Sequence, residues 1–136
     1  MTAAEARNLS TVRTHLAALQ GGESGDALRR FFTSDARQIE MPNQLNVRGQ
    51  QSDLEDILRR SVQGSKILRQ QRYEIVSELA QENAVAMETR WTGVLAMAVG
   101  TMAPGTEMNA SFAIFFQFQD GRIVSQRNYD CFDPWQ

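Results

Sequence analysis

Apolar residues recur every three or four positions at the start of the chain. Ala6, Leu9, Val12, Leu16 and Leu19 form one stripe on a 3.6-residue period, which predicts an amphipathic helix ended by Gly21-Gly22. A short second helix is predicted around Asp26–Phe32, burying Leu28, Phe31 and Phe32. Ala36–Met41 reads as a strand stopped by Pro42, which cannot donate to a ladder, and Asn43–Gly49 reads as loop. A third helix starts at Ser52, where Ser52-Asp53-Leu54-Glu55 has the form of a capping box. Leu54, Ile57, Leu58 and Val62 supply its buried face, with Gly64 as its C-terminal cap.

From about Gln71 the hydrophobic period drops to two. Tyr73–Leu79 alternates and Gln81-Glu82-Asn83 is a turn. Ala84–Ala98 is a single strand candidate too long to stay flat, with Gly93 as its natural kink. Glu107–Gln119 and Arg122–Phe132 are the last two strands, joined by the type I′ hairpin signal Asp120-Gly121. Helices first and an antiparallel meander after them predict an α+β fold, one domain over residues 1–136.

Composition narrows the function classes. Fourteen Lys+Arg against sixteen Asp+Glu leave a net charge of −2, too balanced to grip nucleic acid or a membrane surface electrostatically. The longest apolar runs fall short of the roughly 18–20 residues of a membrane span. Met1-Thr2-Ala3-Ala4-Glu5 lacks the basic and apolar start of a signal peptide, so a cytoplasmic location is expected. Cys131 is the only cysteine and His15 the only histidine, so neither a disulfide, a Cys/His metal site nor a bound cofactor is expected. There is no phosphate-binding glycine loop and no nucleophile elbow.

Several local sequences then fall into a known order. They are Gly25-Asp26, Phe31-Phe32-Thr33-Ser34-Asp35-Ala36, Ile39-Glu40-Met41-Pro42, Trp91-Thr92-Gly93 and Phe116-Gln117-Phe118-Gln119-Asp120-Gly121-Arg122-Ile123. Over nearly its whole length the chain resembles the nuclear transport factor 2-like superfamily, in its SnoaL-like and ketosteroid-isomerase-like branch. The resemblance implies a cone: three N-terminal helices packed in a strongly curved, mainly antiparallel sheet, with an apolar cavity at the open end. It does not fix an activity, because similar proteins include isomerases, cyclases, dehydratases and proteins with no known catalysis.

The resemblance also orients the strands. Placing Trp91 inward, as in similar proteins, turns Val85, Met87 and Thr89 inward and Glu88, Arg90 and Thr92 outward. Phe112, Ile114, Phe116 and Phe118 share one face of the next strand. Aligning Gly121-Arg122-Ile123 with the same turn in steroid isomerases puts Gln126, Asn128, Asp130 and Phe132 on the inner face of the last strand. His15 falls where those isomerases keep an oxyanion-binding tyrosine. Met41 falls where they keep their proton-abstracting aspartate, and Glu40 by parity points away. Steroid isomerisation by that mechanism is therefore not expected.

The acid/base candidates are Asp130 and His15. An apolar cavity raises a carboxyl's pKa by desolvation and suits it to work as a general base. The alternative for Asp130 is a structural carboxylate bonded to backbone or to Asn128. His15 borders the buried face of the first helix, either as a hydrogen-bonding or acid/base group or as a half-exposed helix-edge residue. The expected pocket joins Asp130 and His15 to Trp91, Asn128, Gln126, Met41, Met87, Phe112, Ile114 and Phe116.

Three function classes fit. One is a cofactor-independent isomerase, cyclase or lyase, similar to a polyketide cyclase, moving a proton next to a carbonyl of a hydrophobic substrate. The second is a non-catalytic binder of a small hydrophobic molecule, and the third a dimeric interaction module. Ala113 and Phe115, opposite Ile114 and Phe116, make both faces of one strand apolar. Similar proteins dimerise there, which implies a homodimer through the sheet's outer face.

Overall fold

Thr2 starts the first helix, α1 (Ala3–Gln20), through a capping box with Glu5. The Thr2 hydroxyl accepts from the Glu5 N–H at 3.1 Å, and the Glu5 carboxylate accepts from the Thr2 N–H at 2.7 Å. The computed structural model describes residues 1–135. The predicted second helix is a 3₁₀ turn, Gly25–Phe31, that runs directly into β1 (Phe32–Glu40), so this strand starts at Phe32 rather than Ala36. A short strand, β2 (Gln50–Ser52), precedes α2 (Leu54–Ile67). The cap of α2 is Asp53, whose side chain accepts from the Asp56 N–H at 2.9 Å. Ser52 is instead buried at the end of β2, and the helix continues through Gly64.

The remaining strands are β3 (Leu68–Gln81), β4 (Ala84–Leu95), β5 (Glu107–Gln119) and β6 (Arg122–Phe132). They form one mixed six-stranded sheet in the order β2-β1-β6-β5-β4-β3, in which β1 runs parallel to β6 and the other pairs are antiparallel. At the β5–β6 hairpin Asp120 and Gly121 both have positive φ, 52° and 80°, as a type I′ turn requires.

The expected cone of three N-terminal helices in a strongly curved sheet is not formed. The sheet is open and not strongly curled, with β2 and β3 as free edges. Of the α-helices only α1 stands before the strands; α2 follows β1 and β2. Curvature was expected from the resemblance and from an unbroken strand over Ala84–Ala98, and β4 stops at Leu95. The irregularities fall in the edge strand β3, where Arg69 and Val76 drop out of register with β4. Gly93 is no kink: its ladder to β5 is continuous, pairing with Met108. It is glycine because the Trp91 indole lies over it, and a Cβ there would collide with that ring.

Helix α1 packs on β3 and β4, while α2 and the 3₁₀ turn pack on β1. Val85, Met87, Thr89 and Trp91 alternate into this covered face from β4, as do Phe112, Ile114, Phe116 and Phe118 from β5. Among the described residues, no helix is long and apolar enough to cross a membrane.

Candidate functional site

The covered face is not packed solid. Between β4–β6, α2 and the loop after β1 lies a cavity of about 480 Å³. One end is aromatic. Trp91 stacks on Phe112 at 5.3 Å between ring centroids, and Phe132 meets both edge-on at 6.0 and 5.9 Å. The Trp91 indole N–H donates to Gln71 Oε1 at 3.0 Å, which fixes the ring's orientation.

The other end is polar and is built by strand register. Asp130 pairs with Phe112, Asn128 with Ile114 and Gln126 with Phe116 across the β5–β6 ladder, so these three polar side chains share the face of the buried aromatics. Asn128 and Asp130 line the cavity together with Glu40 and Arg60. Arg60 donates to Glu40 Oε1 at 2.6 Å and to the Ser52 hydroxyl at 3.4 Å. The Asn43 amide donates to Glu40 Oε2 at 2.8 Å.

Asp130, unlike Glu40, has no counterpart in the main cavity. Its Oδ1 is buried with no hydrogen-bond partner. Burial first, and then the negative charge of Glu40, push its carboxyl up to about 7, with Arg60 opposing. Tyr73, on β3, faces it with a phenol that burial and the Asp130 charge hold above its ordinary range, and therefore protonated.

A second, inner compartment of about 200 Å³ adjoins the first and shares Glu40, Arg60, Tyr73 and Asn128 with it. His15 and Gln126 line this inner space. His15 is buried between Phe31 and Phe32, with ring centroids 5.0 and 5.3 Å away, and its Nδ1 has no partner. Burial and the nearby charge of Arg30 lower its pKa to about 4, so the imidazole is neutral at pH 7. Gln126 donates to Asn128 Oδ1 at 2.9 Å, leaving the Asn128 Nδ2 hydrogens free to face a ligand.

The structure thus brings Asp130, Asn128, Trp91 and Phe112 to the main cavity, and His15 and Gln126 to the inner one. It does not bring Met87, Ile114 and Phe116 to either surface; they are core behind the wall. Met41 also lines neither compartment, and its backbone N–H donates to the Asn128 carbonyl at 2.9 Å.

The expectation that Glu40 points away is wrong. Strand β1 ends at Glu40, and its inward set runs from buried Ala36 through Gln38 to Glu40. Counting by twos from Ala36 would have found it. No helical periodicity signals that Arg60 turns back to Glu40. Tyr73 carried a signal in the alternation of β3, which the bulge at Val76 masks further along.

A model of the SnoaL-like domain matches residues 12–126 of the chain. None of the curated proteins matches it. Among solved structures it is similar to AclR of Streptomyces galilaeus, for which a hydroxylase role is proposed. The identity is 16% and the TM-score 0.79, over 96% of this chain and 82% of that one. It is also similar to IdmH of Streptomyces antibioticus, for which a polyketide cyclase role is proposed, at 18% identity and TM-score 0.76, over 90% and 91% of the two chains. A phenazine biosynthesis-related protein of Pseudomonas aeruginosa is similar at 16% identity and TM-score 0.72, over 93% and 80%. At these identities the likeness is one of fold.

Proposed function

The chain belongs to the SnoaL-like domain family, in the nuclear transport factor 2-like superfamily, and from that premise we propose that it binds a small, uncharged hydrophobic molecule and moves a proton beside its carbonyl group. The observation that carries this reading is the unpartnered, half-buried Asp130 carboxyl, poised at about pH 7, beside an aromatic wall. Trp91, Phe112 and Phe132 bind the apolar body by removing its surface from water. Among the described residues, the one cation lining the main cavity, Arg60, is already paired with Glu40, so an anionic ligand finds no free partner among them.

In this reading the Asp130 carboxylate takes a proton from the carbon next to the carbonyl, and the C–H electron pair moves to give an enolate. Asp130 then returns the proton to a second position on the same molecule. Tyr73 and Asn128 border both compartments and have free donors for the developing oxyanion. Neutral His15 supports the inner compartment with its unpartnered nitrogen. The test is deuterium exchange from D₂O into hydrophobic ketones that bind, followed by proton NMR. Wild-type protein exchanges the α-proton, and Asp130→Asn binds as well but does not exchange. Equal loss of binding and exchange would make the carboxylate structural.

We also propose that two copies associate through the uncovered face of the sheet. Phe115 and Tyr129 lie there at 40% and 39% exposure, their rings packed edge-on at 5.7 Å with the Arg127 guanidinium over Phe115. Arg90 contributes less to this face than its position suggests, since it is already paired with Asp133 and Ser111.

A further inference from the structure

Two carboxylates face the main cavity, and they are held in opposite ways. Both oxygens of Glu40 are taken, Oε1 by Arg60 at 2.6 Å and Oε2 by the Asn43 amide at 2.8 Å. Asp130 has a buried oxygen with no donor at all. Glu40 is the register partner of Asn128 in the parallel β1–β6 ladder, and Asp130 lies two residues further along the same face of β6. That makes the two acids diagonal neighbours across the β1–β6 ladder.

We propose that Glu40 is a positioning residue for Asp130: a carboxylate clamped by Arg60 and Asn43 on the wall it shares with the unpartnered acid, so that the two acids act as one electrostatic unit. The proposal rests on Asp130 as the proton carrier, and it adds what the second acid does. A carboxylate that accepts from a guanidinium and an amide is held in one place. A second negative charge on the same cavity wall is then disfavoured, so Asp130 binds a proton more tightly than its burial alone requires.

The groups facing Asp130 come from four elements. Glu40 projects from β1, Arg60 from α2 and the protonated phenol of Tyr73 from β3, while neutral His15 of α1 lines the adjoining compartment. Glu40 and Arg60 form an ion pair. Their effects on Asp130 oppose each other, and that of Glu40 is the larger.

The experiment is a carbon-13 NMR titration of the Asp130 carboxyl in the full chain, with its resonance identified by its absence from Asp130→Asn. Glu40→Gln removes the charge at nearly constant shape and should move the Asp130 midpoint down by about one pH unit, the size of a like-charge interaction across a partly solvated cavity. Glu40→Asp keeps the charge and should hold the midpoint nearer neutrality. An unchanged midpoint in Glu40→Gln, or an equal fall in both variants, overturns the proposal. Glu40→Leu serves if Glu40→Gln does not fold: it also removes the charge and should move the midpoint downward, and an upward or absent shift overturns the proposal. The titration needs no substrate, so a protein with no turnover at all would overturn the catalytic reading and leave this result standing.

Discussion

Asp130 stands directly opposite Phe112 in the β5–β6 ladder, so the cavity's unpartnered carboxyl and its aromatic wall are one cross-strand pair. The ring that lines the cavity also withholds water from the carboxyl. This pairing ties the proton affinity of Asp130 to the stability of the fold.

The Asp130 carboxyl titrates near 7 in the folded protein against 3.8 ordinarily, so between those values the native state holds a proton that the unfolded chain releases. Its stabilising contribution is complete below pH 3.8 and is lost as pH rises through 7. A three-unit shift corresponds to at most about 4 kcal/mol, and solvent access reduces this to about 1–3 kcal/mol. Asp130→Asn mimics the protonated form. Urea unfolding at pH 8.5 should therefore find the variant more stable than wild type by about that amount, with the advantage gone near pH 4. Equal effects at both pH values would contradict the shifted titration.

His15 has the opposite sign. Its folded pKa of about 4 lies below the ordinary 6.5, so the unfolded chain binds a proton that the buried imidazole refuses. Its contribution is complete above pH 6.5 and is lost as pH falls through 4. His15→Leu removes this acid-side loss. The variant should compare better with wild type at pH 4.5 than at pH 7.5, by about 2 kcal/mol, in denaturant unfolding at the two pH values. A pH-independent difference would mean that water reaches the ring.

The sequence made the faces of the long strands legible because their alternation is uninterrupted: Val85 to Trp91 and Phe112 to Phe118 bury as the period of two requires. Asp130 and Asn128 came instead from the resemblance, through aligning Gly121-Arg122-Ile123 with the same turn in similar proteins. The polar end of the cavity was harder to read. The resemblance put Met41 in the pocket, whereas the inward set of β1 runs Ala36, Gln38, Glu40, and this replaces a thioether with a carboxylate at the cavity. Arg60 reaches the site only through tertiary contact with Glu40 and Ser52, for which a helical wheel carries no signal. The sheet's shape was misread because curvature was taken from the resemblance and from strand length, and β4 ends sooner than its apolar pattern suggests.

The uncovered face gives a prediction about association. Wild-type protein at micromolar concentration should sediment as a dimer. The double variant Phe115→Glu, Tyr129→Arg should weaken that dimer by about a hundredfold, because it removes the two exposed rings and Arg127's aromatic partner from the centre of the patch. Circular dichroism should stay unchanged, since both side chains lie off the core. A wild-type monomer in sedimentation would refute the proposed association.

Gly93 supplies a test that joins folding to the site. Its Cα lies under the Trp91 indole, and the Leu68 side chain is also within contact of any added Cβ. Backbone conformation is not the reason for glycine here, because its φ is not in the left-handed region. The requirement is space alone. In Gly93→Ala the methyl group must push the indole away, and the backbone of a central strand paired on both sides cannot yield instead. Overpacking of this kind costs about 1–3 kcal/mol. The displaced indole would also lose its bond to Gln71 and its stacking on Phe112, so the aromatic end of the cavity would change shape while Asp130 kept its surroundings. Ligand affinity should fall and tryptophan emission should shift, with the Asp130 titration midpoint unmoved. A variant as stable as wild type, with unaltered emission, would show that the strand has room the structure does not give it.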